Sequence, residues 1–169
     1  MLTGEGAIIR PTWVEIDQAA IRANLRGIKA LVGPECQVMA VVKAEAYGHG
    51  ASQVAKLARA EGIDWFGVAM PEEGIALREA GVDGNILVFA PFLPEQAATY
   101  CNYDLVATIT TWESATALSQ EALRRRQKAR VHIKVDTGMG RIGFFAAEGG
   151  AAIDRILSLP GLIVEGLYT

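Results

Sequence analysis

Two lysines, an arginine and a tyrosine stand where a catalytic site can be built. Lys43 ends the apolar run of "AVVKAEAYGHG" (40–50), with Tyr47 and His49 close behind. Lys134 and Arg141 fall in "HIKVDTGMGRIGF" (132–144). A lysine at the end of a buried strand has two readings: a solvated cap, or a nucleophile held at the end of a sheet. Burial disfavours the ammonium form, and only the neutral amine attacks a carbonyl to form a Schiff base. The glycine-rich "AYGHG" offers backbone N–H groups and a phenol to a phosphate or carboxylate. His49 is either an acid/base group or a solvated loop residue. Arg141, after two glycines, is either an anion clamp with a fork of donors or a surface residue.

These residues need elements to position them. "PTWVEID" (11–17) reads as a short strand. Asp17 then N-caps a helix with Ile21, Leu25, Ile28 and Leu31 along one face, ended by Gly33 and Pro34. "CQVMAVVK" is a near-continuous apolar run, the pattern of a strand covered on both faces. Residues 51–61 read as a helix with Val54, Leu57 and Ala58 inward. "DWFGVAM", "NILVFA", "DLVATIT", "ARVHIKVD" and "LIVEGLYT" read as further strands. Helices alternate with them: one starts at Pro71 and closes at Gly81, and a short one starts at Pro94. Another spans 111–127, with Thr110 and Glu113 at capping-box spacing, and a last one spans 147–158.

Six strands from Gln37 onward, separated by helices, imply parallel strands with right-handed crossovers. Both a doubly wound sheet and a (β/α)8 TIM-type barrel fit. The missing G-x-G-x-x-G counts against a dinucleotide-binding sheet. A closed barrel needs eight units and about 250 residues, so the expectation is a barrel truncated after about six βα units. On strand 130–136, Val131, Ile133 and Val135 share one face, and Arg130, His132, Lys134 and Asp136 share the other. The apolar set should face helices and the polar set the barrel interior. Lys43 and Lys134 then sit near the C-terminal strand ends, where such folds build active sites.

Composition bounds the function. The 169 residues are 51% hydrophobic and 21% charged, with net charge -3, enough for one sizeable core. Arg124–Arg126 reads as a solvated helix face rather than a nucleic-acid site. Cys36 and Cys101 lack metal or redox spacing and suit a reducing cytoplasm. No apolar run approaches the roughly 18 residues of a membrane span, and the first thirty residues lack a signal-peptide pattern.

Four fragments, "RPTWVEIDQAAIRANL", "AVVKAEAYGHG", "EGIALREAG" and "KVDTGMGRIGF", together resemble bacterial alanine racemase in order and spacing, from Arg10 to Thr169. Glu45 stands where many members carry Asp. The resemblance implies a cytoplasmic, homodimeric pyridoxal 5'-phosphate isomerase that interconverts L- and D-alanine for peptidoglycan. It implies an N-terminal (β/α)8 barrel holding the cofactor and a mostly β C-terminal domain. By matching positions, Lys43 would carry the cofactor as an internal aldimine and act as the base on the D-alanine side. Tyr47 would contact the cofactor phosphate. Arg141 would lie beside the cofactor's phenolic oxygen and the substrate carboxylate. Lys134 matches a lysine that is carbamylated in many members and pairs with that arginine.

The resemblance also places a second base, a tyrosine, in the C-terminal domain across a dimer interface. The expected division is therefore an N-terminal strand and helix over 1–36, a partial cofactor-binding barrel over 37–169, and no C-terminal β domain. Racemisation uses a base on each face of a planar intermediate, so little activity is expected of the chain alone. Two alternatives stand beside this: a racemase for serine or another small amino acid, and a non-catalytic barrel fragment acting as an association module.

Overall fold

The structure is a computed structural model that describes residues 12–169. Asp17 accepts hydrogen bonds from the Ala19 and Ala20 amides at 2.8 and 3.1 Å and so starts helix α1 (Gln18–Val32). Gly33, at φ 78°, ends it. The strand expected over 11–17 is not formed by Thr12–Asp17; Arg10 and Pro11 lie outside the described residues. A strand needs a ladder partner for its N–H and C=O groups. None pairs with this segment among the described residues, and Trp13 and Val14 are exposed.

Strands and helices then alternate as β1 (Met39–Val41), α2 (Lys43–Gly48), α3 (Ala51–Ala60), β2 (Trp65–Val68), α4 (Pro71–Glu79) and β3 (Asn85–Pro91). A 3-10 turn (Pro94–Gln96) leads into α5 (Ala97–Asn102), β4 (Leu105–Ile109), α6 (Trp112–Arg124) and β5 (Ala129–Asp136). A two-residue strand β6 (Phe144–Phe145), helix α7 (Ala146–Leu157) and β7 (Leu162–Tyr168) follow. The cap of α6 is Thr111, not Thr110. Thr111 is extended, at φ -143°, and its hydroxyl accepts from the Ser114 amide at 3.2 Å; Thr110 lies one residue too early for that bond.

All strand pairs are parallel, in the order β1-β2-β3-β4-β5-β7, and β6 joins the end of β5. Each strand has an apolar outer face. Ile86, Val88, Ala107, Ile109, Val131 and Ile133 are buried there against Leu77, Tyr100 and Leu118. Burying one large side chain of this kind contributes about 1.5–3 kcal/mol.

The sheet curls strongly. Trp65 on β2 and His132 on β5 have ring centres 5.0 Å apart. In a flat sheet, three strand spacings would separate them by about 14 Å. Phe89 on β3 reaches Tyr168 on β7 in the same way, at 6.3 Å. The inner face is therefore lined by the strands' own side chains, as in a barrel and unlike a doubly wound sheet. Arg130 closes its N-terminal end, bonded to Asn85 and, at 3.0 Å, to Asp104. The sheet is not closed: among the described residues β1 and β7 remain edges. The fold is a partial (β/α) barrel.

Candidate active site

The C-terminal strand ends carry the chemistry. The sequence suggests that the first strand runs on to Lys43, yet β1 stops at Val41. From Ala44 to Tyr47 the chain makes one turn of left-handed helix, with φ between 49° and 55° at four successive non-glycine residues. This conformation costs about 1–2 kcal/mol per residue, so surrounding contacts must hold it. The Ala46 amide donates to Val42 O at 2.9 Å, and the Gly50 amide donates to Glu45 O at 2.8 Å. His49 Nδ1 donates to Ala46 O at 3.0 Å, which gives His49 a structural bond in the turn. The Glu45 carboxylate accepts from the Ala51 amide at 3.1 Å, at the start of α3. Glu73 Oε1 accepts from the Ala44 amide at 2.7 Å, from outside the turn. Val42 and Ala46 are buried beneath it.

The turn sets two side chains on one side. Lys43 is half-buried, and its Nζ lies 6.0 Å from the centre of the Tyr47 ring. Tyr47 itself is 63% exposed, open to a ligand.

The second cluster sits at the ends of β5 and β7. Val131 and Ile133 face the helices and Arg130, His132 and Lys134 face inward, as the alternation implies. Lys134 is 4% exposed, and among the described residues no carboxylate forms a salt bridge with it. Its register partner on β7 is Tyr168. Burial pushes the Tyr168 phenol above its ordinary pKa, against a smaller opposing pull from the Arg141 charge. That charge places Arg141 within electrostatic reach of Tyr168; Arg141 itself is exposed.

Asp136 organises the loop that carries Arg141. Its carboxylate accepts from the amides of Gly138, Gly140 and Arg141 at 2.9, 3.0 and 3.0 Å. Those bonds, Gly140's foremost, hold its pKa below the usual carboxylate value. Gly143, at φ 124°, brings the loop back onto β5, where a Cβ would lie 2.8 Å from the Asp136 nitrogen. Only glycine fits there.

Lys43 with Tyr47, and Lys134 with Arg141, thus stand at the same end of the sheet but in two groups. No hydrogen bond or salt bridge joins the groups among the described residues. The sequence does not single out Tyr168, Asp136 or Glu73. Glu73 carried one signal, an acidic residue at the third position of a helix that begins with proline. The donor set is a primary amine, a phenol and a guanidinium at a barrel mouth. It fits an anionic ligand that bears a carbonyl.

Comparison with known proteins bears on this arrangement. The family described as "Alanine racemase, N-terminal domain" matches residues 16–169. Alanine racemase 1 of Caldanaerobacter subterraneus subsp. tengcongensis is 44% identical over 162 residues, covering 95% of this chain and 42% of that protein. The structure of Clostridium difficile 630 alanine racemase in complex with cycloserine superposes with a TM-score of 0.90 at 37% identity, covering 95% of this chain and 44% of that one. A histidine racemase from Leuconostoc mesenteroides subsp. sake superposes with a TM-score of 0.78 at 33% identity, over 86% of this chain and 39% of that one. The chain spans less than half the length of these relatives.

Proposed function

The chain belongs to the alanine racemase N-terminal domain family, and from that premise we propose that it supplies the cofactor-lysine half of a pyridoxal 5'-phosphate-dependent alanine racemase. The observation that carries this reading is the left-handed turn that presents Lys43 and Tyr47 together at the C-terminal end of the barrel. The donor set suits the cofactor: the Lys43 amine for its aldehyde carbon, the Tyr47 phenol for its phosphate, and the Arg141 guanidinium for its phenolic oxygen or a substrate carboxylate. When bound, pyridoxal phosphate supplies an electron sink that stabilises a carbanion at the substrate Cα.

The protein's part is positional and acid–base. Lys43 Nζ is the group that moves a proton to and from Cα on the face it lines. Racemisation needs a second base on the opposite face. The family resemblance puts that base, a tyrosine, in a C-terminal β domain of a homodimer. Residues 37–169 are the barrel portion in this reading and 1–36 precede it, and the 169-residue chain alone turns over little or no alanine. Lys134 is the carbamylation site. A buried ammonium with no salt-bridge partner among the described residues is costly, and a carbamate there becomes an anion that pairs with Arg141. The setting is cytoplasmic and the product D-alanine serves peptidoglycan.

A second reading has its own observation. The same barrel portion superposes on a histidine racemase, so it does not by itself choose the substrate side chain, and another amino acid remains a candidate substrate.

The test is spectroscopic. The purified chain mixed with pyridoxal phosphate should develop the visible band of a lysine-bound cofactor. Borohydride reduction should then place the added mass on the peptide that contains Lys43, and Lys43→Ala should show neither. A band that persists unchanged in Lys43→Ala would overturn the assignment.

A further inference from the structure

One carboxylate holds the Lys43 turn from outside. Glu73 is the third residue of α4, and its Oε2 accepts from the Met70 amide at 3.1 Å, the ordinary bond of an N-terminal cap. A cap needs no more than that. The same Oε2 also accepts from the Ala69 amide at 2.6 Å, and Oε1 crosses to the neighbouring loop to accept from the Ala44 amide at 2.7 Å. Bonds from N–H to a carboxylate are charge-assisted and stronger than neutral ones. The carboxylate thus joins the loop after β1 to the loop after β2.

The place of attachment matters. Ala44 follows Lys43 directly and is the first residue of the left-handed turn, at φ 49°. The Ala44 amide belongs to the peptide plane that leaves Lys43, so fixing it fixes the direction of the Lys43 Cα–Cβ bond. Val42 N donates to Gly67 O at 2.8 Å, which ties down the residue on the other side. Lys43 is therefore held between two anchors, Gly67 on β2 and Glu73 in the first turn of α4. Without the Glu73 bond, the left-handed Ala44 loses the partner that faces it from outside the turn.

We propose that Glu73 is a positioning residue for Lys43, which it serves by clamping the Ala44 amide and so keeping the left-handed turn formed before any ligand arrives. The inference rests on the reading of Lys43 as the cofactor lysine. No other side chain can replace the carboxylate. Glu73→Gln keeps the length but presents an NH2 to one of the two loops. Glu73→Asp keeps the charge but is one methylene too short to span them.

The test uses the whole chain, with Thr111→Ala as a control that removes the cap of α6, whose hydroxyl bonds Ser114 and not the Lys43 turn. Two readouts are taken under conditions where every variant is folded: amide hydrogen exchange at Ala44, and the apparent affinity for pyridoxal phosphate read from the visible band. Glu73→Gln and Glu73→Asp should speed exchange at Ala44 at least tenfold, while amides of β3 and β4 stay within twofold of the wild type. Both should weaken cofactor binding about tenfold, and Thr111→Ala should do neither. Unchanged Ala44 exchange in Glu73→Gln, or an equal loss in Thr111→Ala, would overturn the clamp. If the wild type shows no band that depends on Lys43, the cofactor reading fails, and Ala44 exchange still decides whether Glu73 holds the turn.

Discussion

Lys134 and Tyr168 are register partners on neighbouring strands, and Lys134 Nζ lies 5.3 Å from the centre of the Tyr168 ring. The pairing gives a buried amine an aromatic face in place of water. It also fixes the ring, because the Tyr168 hydroxyl lies 2.8 Å from Thr108 Oγ1. Thr108 has one hydroxyl proton and donates it to Val88 O at 2.6 Å. Thr108 must therefore accept from Tyr168. The chain Tyr168–Thr108–Val88 ties β7 to β4 and β3 through the barrel interior.

Thr108→Val keeps the shape and removes the link. It leaves the Tyr168 phenol and the Val88 carbonyl without this partner, at about 1–3 kcal/mol. Urea denaturation should show that loss, and Tyr168→Phe should lose less, because Thr108 keeps its bond to Val88. Equal stability of Thr108→Val and wild type would refute the link.

Lys134 should carry one added carbon dioxide. Lys134 is 4% exposed and forms no salt bridge among the described residues, so a carbamate relieves a buried cation that no carboxylate contacts directly. Native mass spectrometry in bicarbonate buffer should show the chain heavier by the mass of one carbon dioxide, and Lys134→Ala should show the bare mass. A plain amine in the wild type at saturating bicarbonate sinks this prediction.

His132 should make the chain acid-sensitive. Burial, and then the Arg130 charge, lower its pKa, and Nε2 is buried without a partner among the described residues. A group whose folded pKa is depressed binds fewer protons folded than unfolded. Stability is then lost as pH falls below the unfolded value, near 6.5, toward the folded one. Denaturation midpoints measured from neutral pH downward should drop across that window, and His132→Asn should flatten the drop. A wild-type midpoint constant across the window would count against this account.

Gly166 should resist enlargement. A Cβ there would lie 2.6 Å from the His132 ring, which is itself held against Trp65. Overpacking of this kind costs about 1–3 kcal/mol. Gly166→Ala should lower the denaturation midpoint accordingly, and Gly81→Ala, where a Cβ meets nothing within 4 Å but φ is 78°, would report backbone strain alone.

Much of the fold was legible because it rests on local signals. Asp17 marks α1, Pro71 marks α4, and the alternation of residues 130–136 separates the core face from the inner face. The curl of the sheet was legible only by counting units, since Trp65 and His132 are far apart in sequence. The site was read in its residues and not in its geometry. "AEAY" reads locally as right-handed or as turn; nothing within four residues tells that Ala44 to Tyr47 are left-handed. What holds them so is long-range: Glu73 lies 29 positions from Ala44, and the buried seats of Val42 and Ala46 form only when α3 and β2 are in place. Tyr168 was hidden for the same reason, because its partners lie on β4 and β5. Thr110 and Thr111 differ by one position, a difference that backbone direction decides and composition does not.

The left-handed turn makes a prediction of opposite sign to helix intuition. Ala44 at φ 49° carries a Cβ that crowds its own carbonyl, and glycine has none. Ala55 lies within the right-handed helix α3 and is fully buried, where glycine loses about 1 kcal/mol of helix propensity. Ala44→Gly should therefore stabilise the chain by about 0.5–1 kcal/mol, and Ala55→Gly should destabilise it by at least as much. The gain at Ala44 is the strain relieved less the extra freedom glycine has when unfolded. Paired urea denaturation of the two variants decides the matter. If Ala44→Gly were destabilising to the degree of Ala55→Gly, Ala44 would be right-handed in solution, and the geometry that presents Lys43 beside Tyr47 would have to be redrawn.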